Sequence, residues 1–330
     1  MSRHLRNRFN RFRQNQTPSL AVGELQAELL HEASPDLSYL VLTLGSCAIA
    51  TLGLLSNSAA VIIGAMIIAP LMLPIRGLAF AALAGKLLLL QRALFSITAG
   101  TLLSLVLSWG LGVLIGMANF GSEVLARSKP TLLDLGIAVA AGVISGYARI
   151  EPRVSGSLAG TAIAVALMPP ICVTGLGLAQ ANWSLSLGAT LLYLTNLLGI
   201  TLACMLTFLV TGYAQLHQGR KALAFTLALT LILLIPLGAS FAQLIRQTQL
   251  EFSIHQVLVN RTVTFQRVEL LSISTNWLTT PPEVRINIRA KQPVTPRQVE
   301  LLETFLANEL GQPLQLVLFV GQVDEIRRPP

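Results

Sequence analysis

The sequence predicts an all-α polytopic membrane bundle of about seven transmembrane helices with an inverted three-plus-three helix repeat, followed by a small α+β domain of αββαβ, ferredoxin-like order. Three observations carry this. Hydrophobic residues make up 53% of the 330 and charged residues only 12%, where a soluble domain carries about 25% charged, and mean hydropathy is +0.67. Charge-free runs recur at lengths suited to the ~20 residues that cross ~30 Å of hydrocarbon. Finally, Leu71-Met72-Leu73-Pro74-Ile75 returns 96 residues later as Leu167-Met168-Pro169-Pro170-Ile171.

Residues 1–35 read as a basic tail plus an amphipathic helix. Arg3, Arg6, Arg8, Arg11 and Arg13 lie within thirteen residues, and no apolar run follows closely enough for a cleaved signal peptide. Phe9 and Phe12 among those arginines would suit anionic lipid or RNA, yet bilayer orientation accounts for the arm and no nucleic-acid partner is expected. From Thr17-Pro18-Ser19 to about Ala33, a helix puts Glu24, Glu28 and Glu32 on one side and Leu25 and Leu29 on the other.

The first membrane repeat, 36–119, holds charge-free runs Leu37–Leu55, Ala59–Ile75 and Ala93–Phe120, predicting helices 37–55, 57–74 and 93–118. The second, 131–215, holds Leu135–Ala148 and then a stretch from Val154 to Gly219 with no Asp, Glu, Lys or Arg. Breaks near Met168-Pro169-Pro170 and Gln180-Ala181-Asn182-Trp183 divide it, predicting helices 132–149, 154–170 and 184–212. A seventh helix, 221–245, fills the segment 220–246. Asp36-Leu37 and Asp134-Leu135 open the two repeats, where an Asp suits an N-cap and the positive end of the helix dipole. A three-helix unit is odd in number, so its second copy must be inverted.

Charge location sets the expected orientation. Residues 246–330 carry nine basic and eight acidic side chains, so the other +7 of the net +8 belongs to the tail and the short loops. Connections holding Arg76, Lys86 and Arg92, then Arg149 and Arg153, then Arg220 and Lys221 alternate with Ser56-Asn57-Ser58, a loop with Glu123, Arg127 and Lys129, and Gln180-Ala181-Asn182. Positive loops face the cytoplasm. The N-terminus is therefore expected in the cytoplasm, the chain in the inner (plasma) membrane, and residues 247–330 on the opposite side. Were 57–74 and 154–170 re-entrant, Arg76, Lys86 and Arg92 would change sides and the asymmetry would worsen.

Polar groups inside the bilayer are the candidate solute path: Asn57, Ser58, Ser155, Ser157, Thr161, Thr174 and Asn196, with carbonyls freed by Pro70, Pro74, Pro169 and Pro170. Proline withdraws a backbone donor and lipid supplies none in return. Arg76, two residues past Pro74, would face an anionic substrate or snorkel to the interface. The competing account is that the prolines only end helices at a membrane face, since a helix starting at Asn57 reaches Pro74 after ~26 Å. Gly112/Gly116, Gly142/Gly146 and Gly156/Gly160 form Gly-x-x-x-Gly pairs that allow close helix approach, within one chain or in a homo-oligomer, while the Gly/Ala-rich stretch 136–147 could line a pore.

Several chemistries find no support. No acidic side chain lies near a helix centre, as a proton relay would need. No His-Glu-x-x-His, paired intramembrane carboxylates or Ser–His arrangement is present, so no catalytic residue, metal or cofactor is expected. Cys47, Cys172 and Cys204 lie singly in apolar runs, and His4, His31, His217 and His255 are scattered.

Residues 247–330 change pattern. Val284, Ile286 and Ile288 alternate with Arg285, Asn287 and Arg289, a half-buried strand. Thr295-Pro296-Arg297-Gln298 supplies an N-cap, a first-position proline and a capping-box Gln for a helix running to Leu310. Gln266–Trp277 and Leu314–Val320 read as further strands, after a helix over about 241–262. Open strand edges favour pairing with another subunit.

The run from Ser56 through Asn57-Ser58, Gly64 and Pro70 to Pro74-Ile75, with Gly160 and Leu167-Met168-Pro169-Pro170 later, resembles the signature of the bacterial and archaeal "uncharacterised hydrophobic domain" membrane proteins, domain of unknown function 389. The resemblance covers about 38–215 and implies no settled activity and no functional residues. The expectation from the repeat itself is a channel or carrier for a small solute or ion, with the lipid bilayer as its surroundings. The alternative is a non-transporting sensor or assembly platform acting through its C-terminal domain; transport requires a polar cavity lined from both repeats, a platform a dry bundle.

Overall fold

The computed structural model describes residues 22–116, 120–150, 167–214, 219–239, 242, 268–276, 281, 283–290, 295–310, 313 and 315–322. They fall into two units, 1–240 and 241–330, each treated by itself. The first contains α1 (Val22–Glu32), α2 (Leu37–Leu55), α3 (Ala59–Ile68), α4 (Met72–Ala84), α5 (Leu87–Ile115), α6 (Ser122–Ala126), α7 (Leu132–Ile150), α8 (Met168–Ala179), α9 (Trp183–Val210) and α10 (Gly219–Ala239).

Among the described residues, α2, α5, α7, α9 and α10 are each long and apolar enough to cross a membrane, and the total is six if the bent pair α3–α4 counts as one span. The expected count of seven is thus five to six here. The first part of the helix expected over 154–170, all but residue 242 of the helix expected over about 241–262, and residues 1–21 lie outside the described residues.

The helix expected over 57–74 is two helices, α3 and α4, bent by 50°. Ala69 is extended (φ −63°, ψ 123°), the conformation imposed on a residue that precedes proline, and Pro70 follows it. Hydropathy could not reveal this because the apolar run is unbroken. Pro74 is only the third residue of α4, where no intrahelical donor is required. Arg76 consequently lies inside a helix and buried, not in a connection; the true turn is Gly85-Lys86, with Gly85 left-handed at φ 66°. α5 then starts at Leu87, six residues before the expected 93, taking Arg92 into its second turn.

Asp36 caps α2, its carboxylate accepting from Tyr39 N at 2.7 Å. Asp134 is instead the third residue of α7, accepting from Thr131 N (2.7 Å) and Thr131 Oγ1 (2.8 Å), the reach-back half of a capping box.

The short helices α4 and α8 each pack against both long helices α5 and α9, while α7 packs chiefly along α9. Close approach has a residue-level cause at Gly142: a Cβ there would stand 2.6 Å from the Ile200 carbonyl oxygen and 2.7 Å from Ala203 Cβ. At one end of the bundle α1 is docked by Leu25, Leu29 and Ala33, all fully buried. There Ser96 Oγ donates to the Ala33 carbonyl at 2.6 Å, and Glu32 pairs with both Arg76 (3.3 Å) and Arg149 (3.4 Å), the latter also held by Glu28. Phe80 of α4 meets Phe208 of α9 edge-on, ring centroids 5.6 Å apart. α6 and the Asn57 turn lie at the other end.

The second unit is a three-stranded sheet, β1 (Val268–Asn276), β2 (Glu283–Ala290) and β3 (Gln315–Gln322), with α11 (Pro296–Leu310) between β2 and β3. β1 pairs antiparallel with β2 around a bulge at Leu270/Ser272, and β2 pairs parallel with β3. Direct β2–β3 pairing differs from the expected ferredoxin-like order, whose split βαβ unit inserts a strand between such a pair. Val284, Ile286 and Ile288 are buried as the alternation requires. Gln298 Oε1 accepts from Thr295 N at 2.9 Å, closing the capping box, and Leu316 N donates to Glu303 at 2.8 Å, fixing α11 over β3.

Candidate functional site

A cavity of about 340 Å³ lies within the first unit. Its apolar wall is Met66 from the last turn of α3, Pro170 from the first turn of α8, Leu192 from α9 and Ile137 from α7. Its polar wall is Asn196 of α9, Asp134 of α7, Glu123 of α6 and Arg127, the C-cap of α6. Chain segments on both sides of the internal sequence repeat therefore meet around one space.

The backbone explains why the cavity sits at the breaks. Pro70 has no N–H to offer the carbonyl of Met66, four residues earlier, and Met66 lines the space. At α8, Leu167 is the N-cap and Pro169 and Pro170 are the second and third helical residues, so two of the four donors that a helix start leaves without an intrahelical partner are simply absent. In α4, Leu71, Met72 and Pro74 occupy the same cap, first and third positions as Leu167, Met168 and Pro170. The recurring Leu-Met-x-Pro-Ile is thus a helix-start motif, with Ile75 and Ile171 both buried beneath it.

The charged wall is built locally. Arg127 Nη1 donates to the Glu123 carboxylate (2.7 Å) and the Glu123 carbonyl (2.6 Å), an i,i+4 pair between α6 and its C-cap. Asn57, with left-handed backbone at φ 52°, accepts through Oδ1 from Glu123 N (2.9 Å) and Ser122 Oγ (3.2 Å). It therefore holds the start of α6 from outside the cavity. Asp134 and the Glu123–Arg127 pair leave the wall with one net negative charge, among acceptors suited to a cation or a hydrogen-bonding solute.

The residues singled out from sequence divide accordingly. Pro170 and Asn196 line the cavity. Thr174 stands one turn beyond Pro170, donating to its carbonyl at 2.9 Å and lying 3.3 Å from Thr190 Oγ1. Pro70 forms the bend, while Pro74 and Pro169 are buried first-turn residues. Ser58 is the N-cap of α3 without a side-chain cap bond. Arg76 belongs to the α1 ion-pair cluster at the far end of the bundle. Ser155, Ser157 and Thr161 lie outside the described residues. Sequence reasoning missed Met66, Glu123, Arg127 and Asp134 as lining residues; the signal available was that Glu123 and Arg127 are opposite charges four residues apart, just before a helix that carries Asp134 in its first turn.

Residues 66–202 match the family described as a domain of unknown function (DUF389), in agreement with the resemblance carried by Ser56–Ile75 and the later prolines. The chain is also similar to an uncharacterized protein of the archaeon Methanocaldococcus jannaschii, 26% identical over 189 residues. That match covers 57% of this chain and 59% of the relative. No solved structure matches.

Proposed function

We propose that this DUF389-containing chain is a membrane transport protein, a channel or carrier for a small solute or ion, whose path runs between two inverted three-helix repeats. The observation that carries the reading is the cavity, polar on one wall and bounded by Met66 and Pro170 at the helix breaks. A repeated unit is supported by recurrence of the element lengths, 19, 13 and 29 residues for α2, α4 and α5 against 19, 12 and 28 for α7, α8 and α9, and an odd number of spans per unit would invert the second copy. The α3 helix spans ~15 Å at 1.5 Å per residue, so the Pro70 break falls near the middle of a ~30 Å hydrocarbon layer. Interrupted helices at that depth are where secondary transporters bind solute. In the same reading the N-terminus is cytoplasmic, the protein is in the inner membrane and assembles as a homo-oligomer.

The test is flux. Purified protein in liposomes is challenged with a panel of monovalent and divalent cations, anions and small metabolites. For the species that is carried, Asn196→Leu, which fills the polar wall with apolar bulk, should cut uptake at least tenfold, and Asp134→Asn should weaken it selectively for cations. If no species in the panel crosses faster than through protein-free vesicles, or if both variants transport at the parent rate, the reading falls.

A further inference from the structure

We propose that Cys47 and Cys172 are a modification site: two thiols placed to be oxidised to an intrachain disulfide that fastens α2 to α8. The sulfurs are 3.6 Å apart although the residues are separated by 125 positions, and one comes from each half of the internal repeat. Both side chains are fully buried. A disulfide needs its sulfurs about 2.05 Å apart, so the pair has to close by roughly 1.6 Å, a movement on the scale of side-chain rotation.

The surroundings favour this over other thiol chemistry. Cys47 Sγ donates to the Ser104 carbonyl at 3.2 Å and lies 3.9 Å from Thr51 Oγ1, while Cys172 Sγ faces the Cys47 carbonyl at 3.8 Å. Among the described residues no group of three metal-binding side chains forms. Cys204, the third free thiol, is occupied elsewhere, donating to the Gly142 carbonyl at 3.2 Å. It serves as an internal control.

Burial away from water selects the oxidant class, an apolar organic hydroperoxide able to dissolve in the bilayer. One thiol sulfur attacks the hydroperoxide, forming S–O as O–O breaks, and its proton leaves with the alkoxide as an alcohol. The second sulfur then attacks the resulting sulfenic acid; S–S forms, S–O breaks, and water departs with the second proton. Two thiols are oxidised by two electrons and one hydroperoxide is reduced to alcohol and water. Because Cys172 is two residues past Pro170, the bond ties a helix of the cavity wall to α2, but the proposal stands apart from what the cavity carries.

The full chain in liposomes is treated with cumene hydroperoxide, then denatured, alkylated with maleimide and weighed intact. Three adducts are expected before oxidation and one after, on Cys204, with a linked Cys47–Cys172 peptide and return to three adducts on dithiothreitol. Cys47→Ala should give two adducts before and after. Three adducts after oxidation, a linkage that involves Cys204, or sulfinic acid at Cys47 or Cys172 in place of the linked peptide would overturn the proposal.

Discussion

Asn57 illustrates how one side chain can sit beside a site without belonging to it. Its left-handed backbone would cost a residue with an ordinary Cβ about 1–2 kcal/mol, and its Oδ1 holds Glu123 N and Ser122 Oγ at the start of α6. Asn57→Ala should therefore lower stability through both losses, roughly 2 kcal/mol in total. Asn57→Gly keeps the backbone freedom and should lose only the cap, about 1 kcal/mol. Thermal unfolding in detergent, read by circular dichroism, should rank parent above Gly above Ala; equal melting of the two variants would show that the turn geometry does not matter. Glu32 is a second instance. It is shared by Arg76, which is buried, and Arg149. Glu32→Gln leaves those cations facing each other without their common carboxylate, and the loss should be about 2 kcal/mol, below that of a fully buried pair because Glu32 keeps some solvent contact. Hydrogen exchange over 22–32 should rise in this variant, since the Glu28–Arg149 pair, the Ser96–Ala33 hydrogen bond and the apolar contacts of Leu25, Leu29 and Ala33 would then hold α1 without the Glu32 bridge.

For the elements, the decisive feature is where a proline stands relative to a helix start. Pro70 falls between α3 and α4, and Pro74 within the first turn of α4. Pro70→Ala restores an N–H that can reach the Met66 carbonyl and so favours one straight helix through the 50° bend. It should change solute flux several-fold while the protein still folds. Pro74→Ala adds a donor where helices have no intrahelical acceptor for it and should leave flux within twofold of the parent. Parallel liposome assays decide this, and equal effects of the two substitutions would mean that the bend is not what shapes the path.

For the whole molecule, the first unit has two chemically distinct ends. One holds α1 with Glu28, Glu32, Arg76 and Arg149, the other α6 with Glu123 and Arg127. If the α1 end is cytoplasmic, a cysteine at position 2 should resist a membrane-impermeant maleimide in intact cells while one at position 274 reacts. The three native thiols are buried and should stay silent. Labelling at 2 but not at 274 would invert the arrangement.

Much of this architecture was legible in the residues themselves. Helix α2 begins just after Asp36 and ends just before the polar Ser56-Asn57-Ser58, because membrane helices are read by length and polarity alone. The alternation at Val284, Ile286 and Ile288 and the capping box at Thr295 and Gln298 were equally plain, since strand period and cap chemistry act within a few residues. The bend at Pro70 was written locally too, in the extended preference of Ala69, but the unbroken hydropathy of 59–75 concealed it. What only the tertiary structure decided is which distant residues share a space. Glu123, Asp134, Asn196, Met66 and Pro170 come from five different elements, and Cys47 meets Cys172 across 125 residues. Those meetings follow from how α4 and α8 each pack against α5 and α9, a packing set by close contacts such as Gly175 on Leu105 and Gly177 on Ser186, and no period or local motif along the chain encodes such long-range proximity.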